Sequence, residues 1–218
     1  MKKGLKKKAV DTFAKKEWYT LKVPGAFIKT DAGKTLVNKQ SSKALLDRAL
    51  LGRNFEACQG DLNPNDETNS FRKFKFVISQ VDGSVAKTEF NGMDLTKDKK
   101  KGIIRKWHTL VKTYQDVLTK DGYTLRIFVM GITKRELGQT KKTCYAKRAN
   151  VKRVRKVIFN IIENHFSDLD LLKVMDILQG NKVTQEIEKK SLSIVPLENV
   201  FISKVKVVGK PKKEEVIN

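Results

Sequence analysis

Two runs of alternating apolar and polar residues, joined by Asp82-Gly83, constrain the fold of this chain more than any other feature. The first run covers residues 71–81 and the second covers residues 85–90. Alternation with a period of two is typical of strands that bury one face, and an Asp-Gly pair between such runs is typical of a tight turn. The sequence therefore predicts a β-hairpin here, and with it a sheet that contains antiparallel pairing.

Shorter patterns on both sides of this hairpin predict further strands and helices. The additional strands cover residues 18–23, 34–39, 53–58, 123–133 and 200–208, and the helices cover residues 42–51, 96–114, 144–166, 167–180 and 184–192. Strands and helices do not alternate regularly, so the sequence predicts an α+β fold with a mostly antiparallel sheet and flanking helices. We assign residues 1–16 to a basic arm that is disordered in isolation, 17–208 to a single α+β domain, and 209–218 to a short C-terminal tail with basic and acidic residues.

Two of the predicted helices carry an apolar stripe at helical spacing. In the helix at residues 96–114, six side chains fall within about 100° of arc at 3.6 residues per turn, namely Ile103, Ile104, Trp107, Leu110, Val111 and Tyr114. In the helix that ends near residue 166, one face is lined by Val151, Val154, Val157, Ile158, Ile161 and Ile162. Both stripes are wide enough to be covered by a core.

The positive charge of the chain is concentrated in three segments. The chain has 46 Lys and Arg against 24 Asp and Glu, a formal net charge of +22. Residues 1–16, 97–112 and 134–156 carry +6, +6 and +9, so the remainder of the chain is almost neutral. Clustered cations of this kind attract phosphate chains and accelerate association with them. The sequence therefore predicts a protein that binds a polyanion.

The cations that we predict to contact RNA lie in these segments and in the C-terminal tail. They are Lys2, Lys3, Lys6, Lys7, Lys8, Lys97, Lys99, Lys100, Lys101, Lys141, Lys142, Lys147, Arg148, Lys152, Arg153, Arg155, Lys156, Lys210, Lys212 and Lys213. The lysines at 97–101 would crowd the first turn of the helix predicted at 96–114, where cations oppose the helix dipole. A phosphate bound at that helix end would reverse the effect, which favours an anionic partner.

Aromatic residues interleaved with cations indicate a second mode of RNA contact. Residues 71–77 have the composition of an RNA-binding strand, and Phe74 and Phe76 are candidates for stacking on bases. Phe159, on the basic side of its helix, is a third candidate. The same alternation is equally consistent with a strand that places Phe74 and Phe76 in a core and the lysines outside, so both interpretations stay open.

Other classes of function find little support in the sequence. The longest apolar run is too short for a transmembrane helix, and we expect neither a secretory signal nor a lipid anchor. Two His and two Cys, at positions 58, 108, 144 and 165, lack the paired spacing of a zinc site. No catalytic constellation can be assembled from the residues. We therefore expect no enzyme activity, metal, cofactor, membrane contact or small-molecule substrate.

Short motifs along nearly the whole chain carry a family resemblance. They include Lys16-Glu-Trp-Tyr19, Gly33-Lys-Thr-Leu-Val37, Gly52-Arg-Asn-Phe-Glu56, Gly92-Met-Asp-Leu-Thr96, Asp121-Gly-Tyr-Thr-Leu-Arg126, Lys142-Thr-Cys-Tyr-Ala146 and Lys204-Val-Lys206. In order and spacing the chain resembles the eukaryotic and archaeal small-subunit ribosomal protein family called S-three-a, or e-S-one. Agreement over so many separate motifs is far more specific than any single one of them.

The resemblance implies a structural constituent of the small ribosomal subunit with a barrel-like sheet. It implies contacts with the 3′ region of small-subunit rRNA on the platform side, with neighbouring ribosomal proteins, and with mRNA near the exit. The expected location is the cytoplasmic ribosome, with passage through the nucleolus if the source is eukaryotic. A free RNA-binding protein or RNA chaperone, not stably part of the ribosome, is the alternative.

Overall fold

The computed structural model describes residues 11–211, which form a mixed eight-stranded sheet with flanking helices. The strands are β1 Lys16–Lys22, β2 Asp31–Asn38, β3 Asn54–Cys58, β4 Arg72–Asp82, β5 Val85–Leu95, β6 Leu110–Leu118, β7 Thr124–Thr133 and β8 Leu197–Gly209. The helices are α1 Lys43–Leu50, α2 Gln59–Leu62, α3 Lys97–Ile103, α4 Arg148–Phe166, α5 Leu171–Gln179 and α6 Lys182–Ser191, with 3-10 turns at Phe13–Lys15 and Pro64–Asn69. The predicted α+β class is confirmed.

The sheet branches at β5 and is not closed into a barrel. One path runs β2-β1-β5-β8-β7-β6, and β4, which carries β3 on its far side, also pairs with β5. The start of β5, at Val85, pairs with β1 in parallel, whereas its later part, from Gly92 to Asp94, pairs with β8 in the antiparallel sense. Because β5 pairs with β1 and with β8 at different positions along the same edge, the sheet divides into two parts at this strand. The expectation of a barrel-like sheet was therefore wrong, although most strand pairs are antiparallel as predicted.

The hairpin predicted from residues 71–90 is present as β4 and β5. Val81 and Asp82 pair with Ala86 and Val85 across the turn, and the pairing continues to Arg72 opposite Leu95. Along β4, burial alternates residue by residue from Arg72 to Ser79. The period of two thus predicted the strand, and the structure shows that the face with Phe74 and Phe76 is the buried one.

The helix predicted at residues 96–114 was wrong beyond its first turns. The helix α3 ends at Ile103, and Leu110–Leu118 is the strand β6, paired with β7 over its whole length. Val111, Thr113 and Val117 are buried at alternating positions, a period of two that coexists with the apolar helical stripe. Pairing with the apolar strand β7 selects the extended conformation, because strand preference depends on neighbours more than on local sequence.

The core lies between the sheet and the helices α4, α5 and α6. Val151, Val154, Ile158, Ile161 and Ile162 of α4 are buried, as the apolar stripe predicted, and Val157 is half-buried. They join the inner side chains of β4, β5, β7 and β8 in one cluster. Each such side chain contributes about 1.5–3 kcal/mol when it is fully buried, so the helix is held firmly against the sheet.

Gly92 is required where β5 passes close to β8. Its φ is 149°, and a Cβ atom at this position would lie 2.5 Å from the carbonyl oxygen of Val205. We expect Gly92→Ala to lower the free energy of unfolding by about 1–3 kcal/mol, because the backbone is strained and β8 must move away. Chemical denaturation measures this, with Gly25→Ala as the control, where a Cβ meets no atom within 4 Å. Equal stability of the two variants would contradict the prediction.

No helix within residues 11–211 is both long enough and apolar enough to cross a membrane.

Candidate nucleic-acid interface

The outward side of α4 is a stripe of five cations. Periodicity of 3.6 residues places the valines and isoleucines of this helix against the sheet and leaves the basic side chains in solvent. All five are exposed, and we call them the α4 stripe: Arg148, Lys152, Arg153, Arg155 and Lys156. The helical period predicts Arg148, Lys152, Arg155 and Lys156 opposite the apolar face, and their exposure agrees with this; Arg153 is exposed beside them.

The charges of the α4 stripe lack carboxylate partners within residues 11–211. Ion pairs in this part of the chain involve other cations, and the first turn of α4 contains no acidic residue. Cations near a helix N-terminus oppose the helix dipole by about 0.3–1 kcal/mol each. A phosphate chain along this surface would remove both the mutual repulsion and the dipole penalty. The arrangement therefore favours binding of a polyanion over a purely solubilising role.

The loop that precedes α4 is tied to the start of β6. The amide of Cys144 donates to the carbonyl of Trp107 at 2.8 Å, and the hydroxyl of Thr133 donates to the carbonyl of Cys144 at 2.5 Å. The side-chain amide of Gln139 donates to the carbonyls of Lys141 and Thr143. These bonds hold the loop as a defined surface that continues the α4 stripe.

The predicted cations of this loop are exposed. The ammonium of Lys142 lies 4.9 Å from the centre of the Trp107 ring, a cation–π contact. Lys141 and Lys147 are also exposed, as is Tyr145. Basic and aromatic side chains therefore lie together beside the α4 stripe, although their contacts with RNA stay a prediction.

The dipole argument fails for Lys100 and Lys101, although Lys97 and Lys99 lie in the first turn of α3 as predicted. Because α3 has seven residues, Lys100 and Lys101 lie in its last turn, where cations are favourable, and Asp98 lies in its first turn. The ammonium of Lys99 lies 4.5 Å from the Phe71 ring and 4.6 Å from the Phe201 ring. Lys100 contacts Asp94. The structure thus supplies local partners for Lys99 and Lys100, and contact of the four lysines with RNA remains a prediction.

Phe74 and Phe76 are core residues and not a surface for base stacking. Both are 0% exposed, and the Phe27 ring lies 5.0 Å from the first and 5.9 Å from the second. The alternative that the alternation left open, an inner aromatic face with an outer basic face, is the one observed. Phe159 is half-buried in α4, and its proposed stacking stays a prediction.

The outer cations of β4 are partly neutralised by local carboxylates. Lys75 lies 2.8 Å from Glu56 of β3, and Lys73 lies 3.9 Å from the same side chain. The hydrogen bond from Lys75 holds the pKa of the Glu56 carboxyl below its usual value. This strand therefore offers less uncompensated charge than α4.

Arg72, on the inner face of β4, is a buried structural cation. It is 3% exposed and donates to the carbonyls of Gln179 at 2.5 Å and Gly180 at 3.2 Å, as well as to the Asn181 side chain. Burial lowers the pKa of this guanidinium. Arg72 thus links the turn between α5 and α6 to the sheet by hydrogen bonds. These bonds also hold in place the helices that pack beside α4.

The remaining predicted cations lie at the two ends of the chain. Lys210 is exposed and lies 3.8 Å from Glu89. The other residues of this group fall outside the described part of the chain: Lys2, Lys3, Lys6, Lys7, Lys8, Lys212 and Lys213.

The structure also shows a basic and aromatic surface that sequence analysis missed. Six side chains of β6, β7 and β8 share the side of the sheet that faces away from the core, and we call them the outer sheet face: Lys112, Tyr114, Arg126, Phe128, Lys204 and Lys206. The sequence feature that could have revealed this surface is the alternation of residues 111–117. The helical assignment of this segment concealed it. A strand assignment would have placed Lys112 and Tyr114 together on the outside.

Exposed cations on an ordered helix, an ordered loop and a sheet face are typical of proteins that bind phosphate chains.

Comparison with known proteins identifies the family of the chain. The model of the Ribosomal S3Ae family matches residues 4–211. The small ribosomal subunit protein eS1 of Artemia franciscana is 42% identical over 212 residues, which are 97% of this chain and 79% of that protein.

The corresponding protein of Periplaneta americana, also named small ribosomal subunit protein eS1, gives the same result. It is 42% identical over 214 residues, which are 98% of this chain and 81% of that protein. The chain therefore belongs to the Ribosomal S3Ae family. The resemblance inferred from the separate motifs is confirmed.

Proposed function

We propose that this protein is a structural constituent of the small ribosomal subunit that holds folded rRNA through phosphate contacts. The observation that carries the proposal is the α4 stripe, five exposed cations without a carboxylate partner within residues 11–211, in a chain 42% identical to small-subunit proteins named eS1. Contacts with phosphates position a protein on RNA and carry no sequence information directly. In this role the protein acts without catalysis, cofactor or small-molecule substrate.

The finer location follows from the family resemblance. We propose that the protein lies on the platform side of the subunit, against the 3′ region of the rRNA and neighbouring ribosomal proteins, close to mRNA at the exit. It then resides in cytoplasmic ribosomes and passes through the nucleolus if its source is eukaryotic. The α4 stripe and the adjoining loop are the surface that we expect to face the RNA.

Sedimentation of the tagged full chain from lysate through a sucrose gradient at raised salt tests this function. Exposed ionic contacts weaken as salt rises, so retention demands the many simultaneous contacts of an integral component. We expect the protein to migrate with small subunits. Recovery in the light fractions would contradict the proposal and indicate a free RNA-binding protein instead.

A further inference from the structure

The outer sheet face presents an aromatic pair bordered by cations, in which Tyr114 is exposed and Phe128 is half-buried. The rings of Tyr114 and Phe128, on neighbouring strands, lie 5.8 Å apart with an interplanar angle of 40°. Tyr114 is 56% exposed although it lies in the middle of β6. An exposed aromatic ring in a strand whose other face is in the core suggests a surface that something covers.

Arg126 extends this pair in a fixed orientation. Its guanidinium lies 5.2 Å from the centre of the Tyr114 ring and donates to both carboxylate oxygens of Asp116, each at 2.7 Å. These hydrogen bonds lower the pKa of Asp116. Because the carboxylate holds the guanidinium in place, the arginine and the aromatic rings form a surface of planar groups on which a base can stack.

Beside the aromatic pair lies a cationic groove. A cavity of about 300 Å³ opens between α3 and the sheet, lined by Lys100, Lys101, Lys112, Phe128, Met130 and Lys204. Asp94 is the acidic residue beside this groove, and it lies near three ammonium groups, those of Lys75 at 4.0 Å, Lys100, and Lys204 at 3.9 Å. Lys75 also pairs with Glu56, but the four lysines that line the groove, Lys100, Lys101, Lys112 and Lys204, outnumber the carboxylate of Asp94, so the groove keeps an excess of positive charge.

We propose that the outer sheet face binds a single-stranded segment of rRNA, with bases stacked on Tyr114 and Phe128 and phosphates along the lysines of the groove. Single-stranded RNA is recognised by stacking on aromatic and arginine side chains of a sheet, whereas duplex RNA is bound through phosphates and shape. The surplus of cations favours this occupant over a protein with an ordinary mixed surface. The inference rests on the proposed function, since it names the RNA structure that this second surface takes.

Titration of the full chain with a single-stranded oligoadenylate of about ten nucleotides that contains 2-aminopurine tests the proposal. Stacking on an aromatic ring changes the fluorescence of the 2-aminopurine base, and the titration gives the Kd. We expect Tyr114→Ala to weaken this binding about 5- to 100-fold, and Tyr114→Phe to retain it, because the ring and not the hydroxyl makes the contact. Affinity for duplex RNA of matched length is expected to stay within about twofold, because duplex binding relies on phosphate contacts.

Two control variants test whether a loss of binding comes from the Tyr114 ring itself. One tests the effect of truncating an exposed side chain in the same strand, and the other tests the effect of removing an exposed aromatic ring elsewhere. Leu118→Ala changes a side chain that is 63% exposed on the same strand and the same side of the sheet, and Trp18→Ala removes an aromatic ring that is 52% exposed on β1. Both are expected to bind the oligoadenylate as the unchanged chain does. If Tyr114→Ala loses its cooperative unfolding transition, Tyr114→Leu, which keeps an apolar side chain in the strand, decides the question.

Three results would overturn the inference. The first is equal affinity of Tyr114→Ala and the unchanged chain for the oligoadenylate, and the second is binding without any change in 2-aminopurine fluorescence. The third is loss of Tyr114→Ala from small subunits with unaltered RNA affinity, which would identify a protein neighbour as the occupant. Each leaves the proposed function standing, because sedimentation of the unchanged chain with subunits tests that function separately.

Ultraviolet crosslinking in purified small subunits tests the source of the RNA. Trypsin cleaves after Lys112 and Lys120, so Tyr114 is released in the peptide of residues 113–120. We expect this peptide to be attached to rRNA. Attachment to mRNA alone would overturn rRNA as the occupant of this surface.

Discussion

Replacement of Lys152, Arg155 and Lys156 by glutamine is expected to weaken binding of structured rRNA about a hundredfold at physiological salt. Each phosphate contact contributes about −0.7 to −0.9 to the slope of log affinity against log salt concentration, so the loss of three contacts makes the slope shallower by about 2 to 3. These side chains are exposed on the outward side of α4, opposite its buried residues. The fold should therefore tolerate the change, and filter binding over a range of salt concentrations measures the slope.

A second triple variant with the same change of net charge provides the control. Lys29, Lys34 and Lys39 lie in and around β2, are exposed, and are likewise replaced by glutamine. If total charge governed affinity, both triple variants would lose it equally. Equal slopes for the two variants would contradict the assignment of the α4 stripe to the interface.

Arg72→Met is expected to lower the free energy of unfolding by about 3 kcal/mol. The side chain is 3% exposed, and its removal takes away the donor to the carbonyl of Gly180 and to the side chain of Asn181, and leaves the carbonyl of Gln179 with only the Gln59 side chain as donor. Hydrogen bonds to a charged group contribute about 1.5–3 kcal/mol each, and unpaired buried acceptors add a desolvation penalty. The expected fall in Tm, measured by calorimetry, is about 6–12 °C for a protein of this size.

Arg105→Met tests whether burial causes this effect. Arg105 is exposed, and its guanidinium lies 3.9 Å from Glu198, so the same substitution there is expected to change stability by less than about 0.5 kcal/mol. RNA affinity of the folded fraction of Arg72→Met should match that of the unchanged chain, since Arg72 lies on the inner face of β4. A similar fall in Tm for both variants would contradict the role assigned to Arg72.

Elements whose period is unambiguous could be predicted from sequence. The run before Asp82-Gly83 alternates over most of its length, and β4 and β5 form there; the valines and isoleucines of α4 recur at helical spacing, and that helix forms. At residues 103–117 the apolar positions satisfy both periods, since Val111 lies on the helical stripe and also alternates with Thr113 and Val117. Local sequence does not decide between the two, and pairing with β7 does.

The same distinction holds for the candidate interface. Exposure of the α4 stripe follows from the helix period once the apolar face is known. Phe74 and Phe76 were ambiguous, because alternation separates two faces of a strand without saying which one is buried, and contacts with Phe27 settle it. The complete outer sheet face could not be assembled from sequence, since it adds β8 to the consecutive strands β6 and β7, and the helices α4, α5 and α6 lie between β7 and β8 in the chain.

The sequence by itself determined the segregation of charge, the hairpin, the amphipathic character of α4 and membership of the Ribosomal S3Ae family, because each depends on spacing along the chain. The tertiary structure alone decided that β5 branches the sheet, that Arg72 is a buried tie between β4 and the turn after α5, and that Tyr114 and Phe128 meet beside a cationic groove. Contacts of this second kind join residues far apart in sequence. They are set by which elements pair and pack, a choice that the burial of apolar surface makes for the whole domain at once.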